Sequence, residues 1–269
     1  MHREFDPPEE LKDAIKCFWY DSRDFGKTQS GFEVTPDGYA EIIFHFGNTL
    51  RDKDLQPLPS PFMVGLLNQP VTFYATNVLE IVAVRCFPWT VFDLLGLQSG
   101  KDLVRTFEHP IAQLQSKLNR LVGNHKIEEA ISELRKYFVD ARSHIAVDSM
   151  LFKAGVAMQK AKGTIPVSEV AAAAHATVRT LERKFKQSSG HTVKDVAGLM
   201  RFEQARNKLW NEPSANLAAL AHDLGYTDQS HLNREFKRYS GGTTPAAFAR
   251  KAKKGKEITS GDFVAFVQS

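Results

Sequence analysis

The chain has 269 residues and a mass of 30.2 kDa, with 42% hydrophobic and 25% charged side chains, which suits one large globular domain or two smaller ones. No apolar run approaches the roughly 18–20 residues of a membrane span, and the opening MHREFDPPEE has no apolar stretch behind it, so neither a membrane segment nor a signal peptide is expected. Two cysteines, Cys17 and Cys86, neither in a CxxC, cannot build a disulfide framework, and a cytoplasmic location follows by default.

Charge divides the chain. Residues 1–150 hold 16 basic and 21 acidic side chains, whereas residues 151–255 hold 18 and 8, within a net charge of +4. That asymmetry suits a basic module for a polyanion joined to an acidic module with another task.

In chain order, EELKDAIKCFWY (9–20) places Leu11, Ile15, Phe18 and Trp19 at helical spacing behind Pro7-Pro8 and predicts an opening amphipathic helix. Strands are expected at Tyr39–Phe46, Phe62–Leu66, Val71–Tyr74 and Val78–Phe87, each rich in β-branched and aromatic residues. A short helix is expected in WTVFDLLGL after Pro88, and two more at 111–122 and 127–138. DARSHIAVDS (141–150) reads as a linker. From residue 150 the period turns helical, so the fold class is α+β: a β-rich mixed half, 1–140, followed by an all-α domain, 151–252, and a tail, 253–269. The tail's Phe263, Val264, Phe266 and Val267 are expected to dock on the protein, as an apolar segment is costly to leave wet.

The all-α half repeats itself. Residues 168–190 resemble 218–241, with an offset of 50 in the first part (Ala171 to Ala221) and 51 in the second (Leu181, Arg183, Phe185 and Lys186 to Leu232, Arg234, Phe236 and Lys237). Each unit reads as a helix-turn-helix. A small residue allows close approach, a tight turn follows (Gly225 in the second unit), and Thr177, or Thr227 with Asp228, caps the next helix. Val178, Leu181 and Phe185 are expected to face inward in the first unit, as are Leu232 and Phe236 in the second. The opposite faces carry arginine, glutamine and asparagine, whose donors and acceptors match base edges in the major groove; lysines add phosphate affinity.

Ala171, Thr177, Leu181, Arg183, Phe185 and Gly190, then Ala221, Gly225, Tyr226, Asp228, Ser230, Leu232, Arg234, Phe236, Pro245 and Phe248, form a pattern over residues 150–250 that resembles the AraC/XylS family of bacterial transcription regulators. The resemblance implies two helix-turn-helix units joined by a long helix at about 193–210, with both recognition helices entering successive major grooves of double-stranded DNA. It implies base reading by Arg179, Glu182 and Arg183 in the first unit and by Gln229, Ser230, Asn233 and Arg234 in the second. Thr177, Lys186, Lys237 and Arg238 are the implied phosphate contacts. The sequence departs from the family at GGTTP: with Gly241 as the counterpart glycine, two residues instead of one precede the Thr-Pro pair and the loop is longer, and the alternative is that Gly242 takes that role. The first half resembles the family's preceding domains more weakly, which implies effector sensing or self-association; a small-molecule effector, RNA polymerase and a second copy of the chain are further candidate partners.

Aromatic residues concentrate in the first half, either as core or as the wall of an effector pocket; Trp19, Phe46, Arg85 and Trp89 are the candidates for the latter. Arg85, on an apolar strand, suits an anionic ligand or an ion pair with Glu41 or Glu80. Glu41 and His45 share a strand face but lack a third and fourth ligand at recognisable spacing, so no metal and no cofactor is expected. Cys17 and Cys86 sit in apolar runs, unlike activated thiols, and GxSxG, P-loop and HExxH patterns are missing, so the chain is not expected to be an enzyme. A DNA-tethered methyl acceptor and a non-specific architectural DNA binder are the competing readings.

Overall fold

The computed structural model describes residues 1–97, 100, 103–142 and 149–257. The chain is α+β, with a β-rich first half and an all-helical second half. The strands are β1 (His2–Phe5), β2 (Ile15–Asp24), β3 (Ser30–Val34), β4 (Ala40–Phe46), β5 (Phe62–Val64), β6 (Val71–Ala75), β7 (Val78–Cys86) and, after helix α1 (Val91–Leu95), β8 (Val104–Arg105). Six of them form an antiparallel sheet in the order β1-β2-β7-β4-β5-β8, while β3 and β6 pair separately. Helices α2 (Gln115–Gly123) and α3 (Ile127–Arg142) follow.

The helix expected at 9–20 does not form. A short 3-10 turn at Glu9–Leu11 leads into β2, which pairs with β1 on one side and β7 on the other. The register slips between Ile15 and Cys17, so Ile15 falls on the same face as Phe18 and Tyr20, while Cys17 and Trp19 face the opposite side. That slip, a bulge, is why the apolar residues read at helical spacing: one extra residue shifts the strand's parity. Burial on both faces then hides the period-two alternation that marks a half-buried strand. The strands expected at 39–46, 62–66, 71–74 and 78–87 match β4 to β7, whereas β1, β3 and β8 gave no comparable pattern.

Each face of the large sheet has its own cover. Ile42, Phe44 and Phe46 of β4 and Val82 and Val84 of β7 pack under α1–α3 with Leu118, Leu134 and Phe138. Ile43, Ile81 and Ala83 face the β3–β6 pair instead.

The second half holds α4 (Ser149–Lys160), α5 (Val167–Ala173), α6 (Val178–Ser189), α7 (Val193–Asn211), α8 (Leu217–Asp223), α9 (Gln229–Tyr239) and α10 (Pro245–Glu257). The basic run at 250–256 continues α10, and the apolar tail 258–269 lies outside the described residues, as do 143–148 of the expected linker.

The two halves share a core. Phe87 and Trp89 are buried in one cluster with Ala154, Leu181, Phe185 and Phe202. Trp89 stacks on Phe87 with centroids 5.2 Å apart and meets the Phe185 ring of α6 at 6.0 Å. It lies flat against Gly155 of α4, where an added Cβ would come within 2.2 Å of the indole. A second tie runs from α7: Arg206, 4% exposed, donates from Nη1 to Thr35 Oγ1 at 2.7 Å and to the Pro36 carbonyl at 3.2 Å. One turn earlier, burial and the nearby Asp37 push Glu203 up to about 7.

Two outcomes follow. Gly155→Ala should cost about 1–3 kcal/mol by overpacking, seen as a lower urea midpoint; unchanged stability would mean Trp89 is not pressed onto α4. Because Glu203 is raised from 4.5 to about 7 on folding, its contribution to stability is fully present below pH 4.5 and lost as pH rises through about 7. Glu203→Gln should therefore gain stability over the parent at pH 8 and not at pH 4.5, and an equal gain at both would refute the assignment.

Candidate nucleic-acid interface and effector cavity

The two repeats fold as two helix-turn-helix units, α5–α6 and α8–α9, with α7 between them. Their turns are built alike. Ala171 and Ala221 are buried, and their carbonyls accept hydrogen bonds from the Ala176 and Tyr226 amides, both at 2.9 Å. The left-handed position is Gly225 (φ 70°) in the second unit, and in the first it is His175 (φ 52°). Thr177 Oγ1 accepts the Thr180 amide at 3.2 Å and Asp228 Oδ1 accepts the His231 amide at 2.7 Å, so both second helices are capped. The caps are 51 residues apart while α5 and α8 start 50 apart, which puts the second unit's extra residue in its turn.

At the other end, Gly190 (φ 75°) follows α6, and two left-handed glycines, Gly241 (φ 65°) and Gly242 (φ 97°), follow α9. The additional residue of GGTTP is thus absorbed by a second left-handed glycine, after which Thr244 caps α10 as Thr192 caps α7. Both of these C-terminal turns abut the first half of the chain: a Cβ at Gly190 would lie 2.5 Å from the Gly100 carbonyl oxygen, and one at Gly241 3.3 Å from Pro70.

Arg179, Arg183, Gln229, Ser230 and Arg234 are exposed, and so are Thr177, Lys186, Lys237 and Arg238; Asn233 is half-buried. Glu182 is also half-buried, with Oε2 accepting the Val193 amide at the start of α7 at 3.3 Å. Arg238 lies 3.5 Å from Asp195 in that same first turn of α7. Leu97 borders an open depression shared with Arg179, Arg183 and Lys186. Arg201 of α7 ties the units together, donating to the Gly163 carbonyl at 2.9 Å and pairing with Glu235 of α9 at 3.1 Å. Leu181, Phe185, Leu232 and Phe236 are fully buried as expected, but Val178 is 43% exposed, because α6 begins a turn beyond the core that covers its later residues.

The effector candidates separate. Trp19 and Arg85 border a cavity of about 30 Å³ between the large sheet and β3–β6, lined also by Phe32, Tyr39, Ile43 and Phe73. Phe46 lies on the opposite, helix-covered face, and Trp89 in the core shared by the two halves. Arg85, 3% exposed, pairs with Glu41 at 2.7 Å and Asp37 at 3.3 Å; Trp19 Nε1 donates to Glu41 at 3.1 Å. Glu80 instead accepts the Tyr20 hydroxyl. The roles of Asp37 and Tyr39 at this cavity, and of Arg206 beneath it, gave no sequence signal, since each depends on a loop meeting a distant helix. His45 is held by the Leu58 carbonyl at 3.2 Å, and burial lowers its pKa. Burial pushes Cys17 up to about 12 and raises Cys86 as well. Among the described residues no three His, Cys, Asp or Glu gather where an ion would sit, and no helix is long and apolar enough to cross a membrane.

Two capped helix-turn-helix units on one connecting helix define a double helix-turn-helix domain. Residues 170–251 match the family described as a helix-turn-helix domain, and residues 3–105 match a domain of unknown function (DUF6597). Residues 170–251 of the chain thus carry a helix-turn-helix domain. Among solved structures, ToxT from Vibrio cholerae with a bound unsaturated fatty acid is similar over 86% of this chain and 94% of its own, at 12% identity and a TM-score of 0.46. The DNA-binding domain of AdpA in complex with target DNA is similar over 42% and 99%, at 23% identity and 0.36. The C-terminal domain of AraT, a response regulator from Geobacillus stearothermophilus, is similar over 39% and 87%, at 21% identity and 0.36. No curated protein matches the chain.

The turns give a paired test. A Cβ at Gly225 would meet nothing closer than 3.4 Å, so Gly225→Ala should cost only the left-handed penalty of about 1–2 kcal/mol. At His175 the same relief is offset by glycine's extra freedom when unfolded, and His175→Gly should be neutral to within about 0.5 kcal/mol. Chemical denaturation that shows equal effects at the two positions would contradict the matched geometry.

Proposed function

We propose that this chain is a sequence-specific transcription regulator that places α6 and α9 in successive major grooves on one side of duplex DNA. In this reading residues 1–140 sense a small molecule or self-associate, 141–150 link, and 151–252 read DNA. The observation that carries it is the shared polarity of α6 and α9: both abut the first half at their C-terminal turns, and both present exposed polar side chains from their capped ends. N-terminal residues of a recognition helix are the ones that meet base edges. Arg179, Arg183 and Arg234 are suited to guanine, Gln229 and Asn233 to adenine, with Ser230 between them. In the same reading Thr177, Lys186, Lys237 and Arg238 contact phosphates. Glu182 acts by positioning α7 through Val193, with its second oxygen left to meet a base. RNA polymerase and a second copy of the chain are the further partners implied, with the cytoplasm as the site of action.

The effector site of this reading is the Arg85 cavity, with Trp19 in its wall; Phe46 and Trp89 belong to other core clusters and do not line it. Arg85 at its polar end already faces three carboxylates, Glu41, Asp37 and Glu4, so a further anion would be repelled and an uncharged or cationic, mostly apolar molecule is favoured. At about 30 Å³ the cavity has room for little more than a water molecule, so in this reading its walls part to admit a ligand. Buried thiols with raised pKa values support a regulator over a methyl acceptor, since only a thiolate is nucleophilic.

Binding-site selection followed by anisotropy tests the reading. Arg179→Ala and Gln229→Ala should relax specificity at separate bases about one helical turn apart. Lys237→Ala should weaken all sequences alike and reduce the salt slope by about 1. Binding without sequence preference at about 150 mM salt, or a footprint shorter than one turn, would exclude two-groove reading.

A further inference from the structure

We propose that Val178 is a specificity-determining residue, its isopropyl group reading the 5-methyl of a thymine in the half-site entered by α6. The inference rests on the DNA-reading function above and adds a contact that the polar residues cannot make.

Among the described residues the exposed large apolar side chains are Met1, Leu55, Val78, Phe152 and Val178, and of these only Val178 lies on a recognition helix. It is the first residue after the Thr177 cap. Thr177 does not shield it, because the threonine side chain is turned to the Thr180 amide and hydroxyl at 3.2 and 2.9 Å. Helical spacing puts Val178 one turn before Glu182 and next to Arg179, at the rim of the polar face. Valine there brings no gain in helix propensity and, with 43% exposure, is only partly covered by the fold.

In the major groove the thymine methyl is the apolar feature, while the other base edges present donors and acceptors. An exposed apolar side chain at the leading end of a reading helix, beside an arginine, matches that feature and no other. The second unit supplies the contrast. When the caps Thr177 and Asp228 are superposed in register, the position of Val178 is held by Gln229, an amide suited to adenine. The two half-sites should therefore differ at equivalent positions, one requiring a methyl group and the other a hydrogen-bonding edge.

The test uses the full chain and a DNA site obtained by selection, with the α6 half-site located as the bases where Arg179→Ala relaxes preference. Each thymine of that site is replaced singly by deoxyuridine, which removes only the methyl group. One thymine in the α6 half-site should lose about fourfold in affinity, the worth of one buried methyl-sized group. Val178→Ser should bind thymine and uracil forms equally, while Val178→Ile keeps the difference. Melting temperature should be the same in all three proteins; a marked loss in Val178→Ser would show a packing role and overturn the proposal. So would a methyl effect that persists in Val178→Ser, or an α6 half-site with no methyl-sensitive thymine, and either leaves sequence-specific binding intact. If selection yields no preferred sequence, the regulator reading fails and this inference with it.

Discussion

The placement of Trp89 against Gly155 and Phe185 is the contact on which the arrangement of the two halves depends. A tryptophan from the strand-rich half occupies the core of the first helix-turn-helix unit, with its indole on bare backbone at Gly155 and its ring centroid 6.0 Å from that of Phe185 on α6. Close-packed interiors transmit displacement instead of absorbing it, so a shift of the first half relative to α4 moves α6. The same holds at the turns: Gly100 and Pro70 sit against Gly190 and Gly241, at the C-terminal turns of α6 and α9.

Electrostatics concentrates at the same junction. The loop from Thr35 to Tyr39 borders the Arg85 cavity on one side and receives Arg206 of α7 on the other. A buried guanidinium is expensive unless its donors are used, and Arg206 finds its acceptors, Thr35 and the Pro36 carbonyl, in this docked loop. Asp37 faces both Arg85 and Glu203, so charge in the cavity and charge on the connecting helix are set within one cluster. Under the proposed function, this is where occupancy of the cavity would be felt by the helix that spaces the two units.

Much of the helical half was legible because its determinants are local. Caps, left-handed turn positions and apolar spacing act within a few residues of one another, and the duplication states each of them twice. Val178 is an instructive exception: its spacing matches Leu181 and Phe185, yet the core does not reach it, and only the packed helix shows where cover ends. The first half was harder. At β2, a bulge and burial on both faces produced a helical spacing from a strand, and Trp89, read as a pocket residue by composition, turned out to be shared core.

Residue order alone settled the helix-turn-helix units, their register, the long helix between them and the charge division, since each arises from interactions between near neighbours or from composition. Tertiary structure decided which aromatic side chains face the cavity and which are core. It also decided that Glu182 serves α7, and that Arg206 and Glu203 meet the first half. Those outcomes depend on segments as far apart as Thr35 and Arg206 coming together, and distance along the chain carries no signal of such pairs until the sheet and the helices have packed.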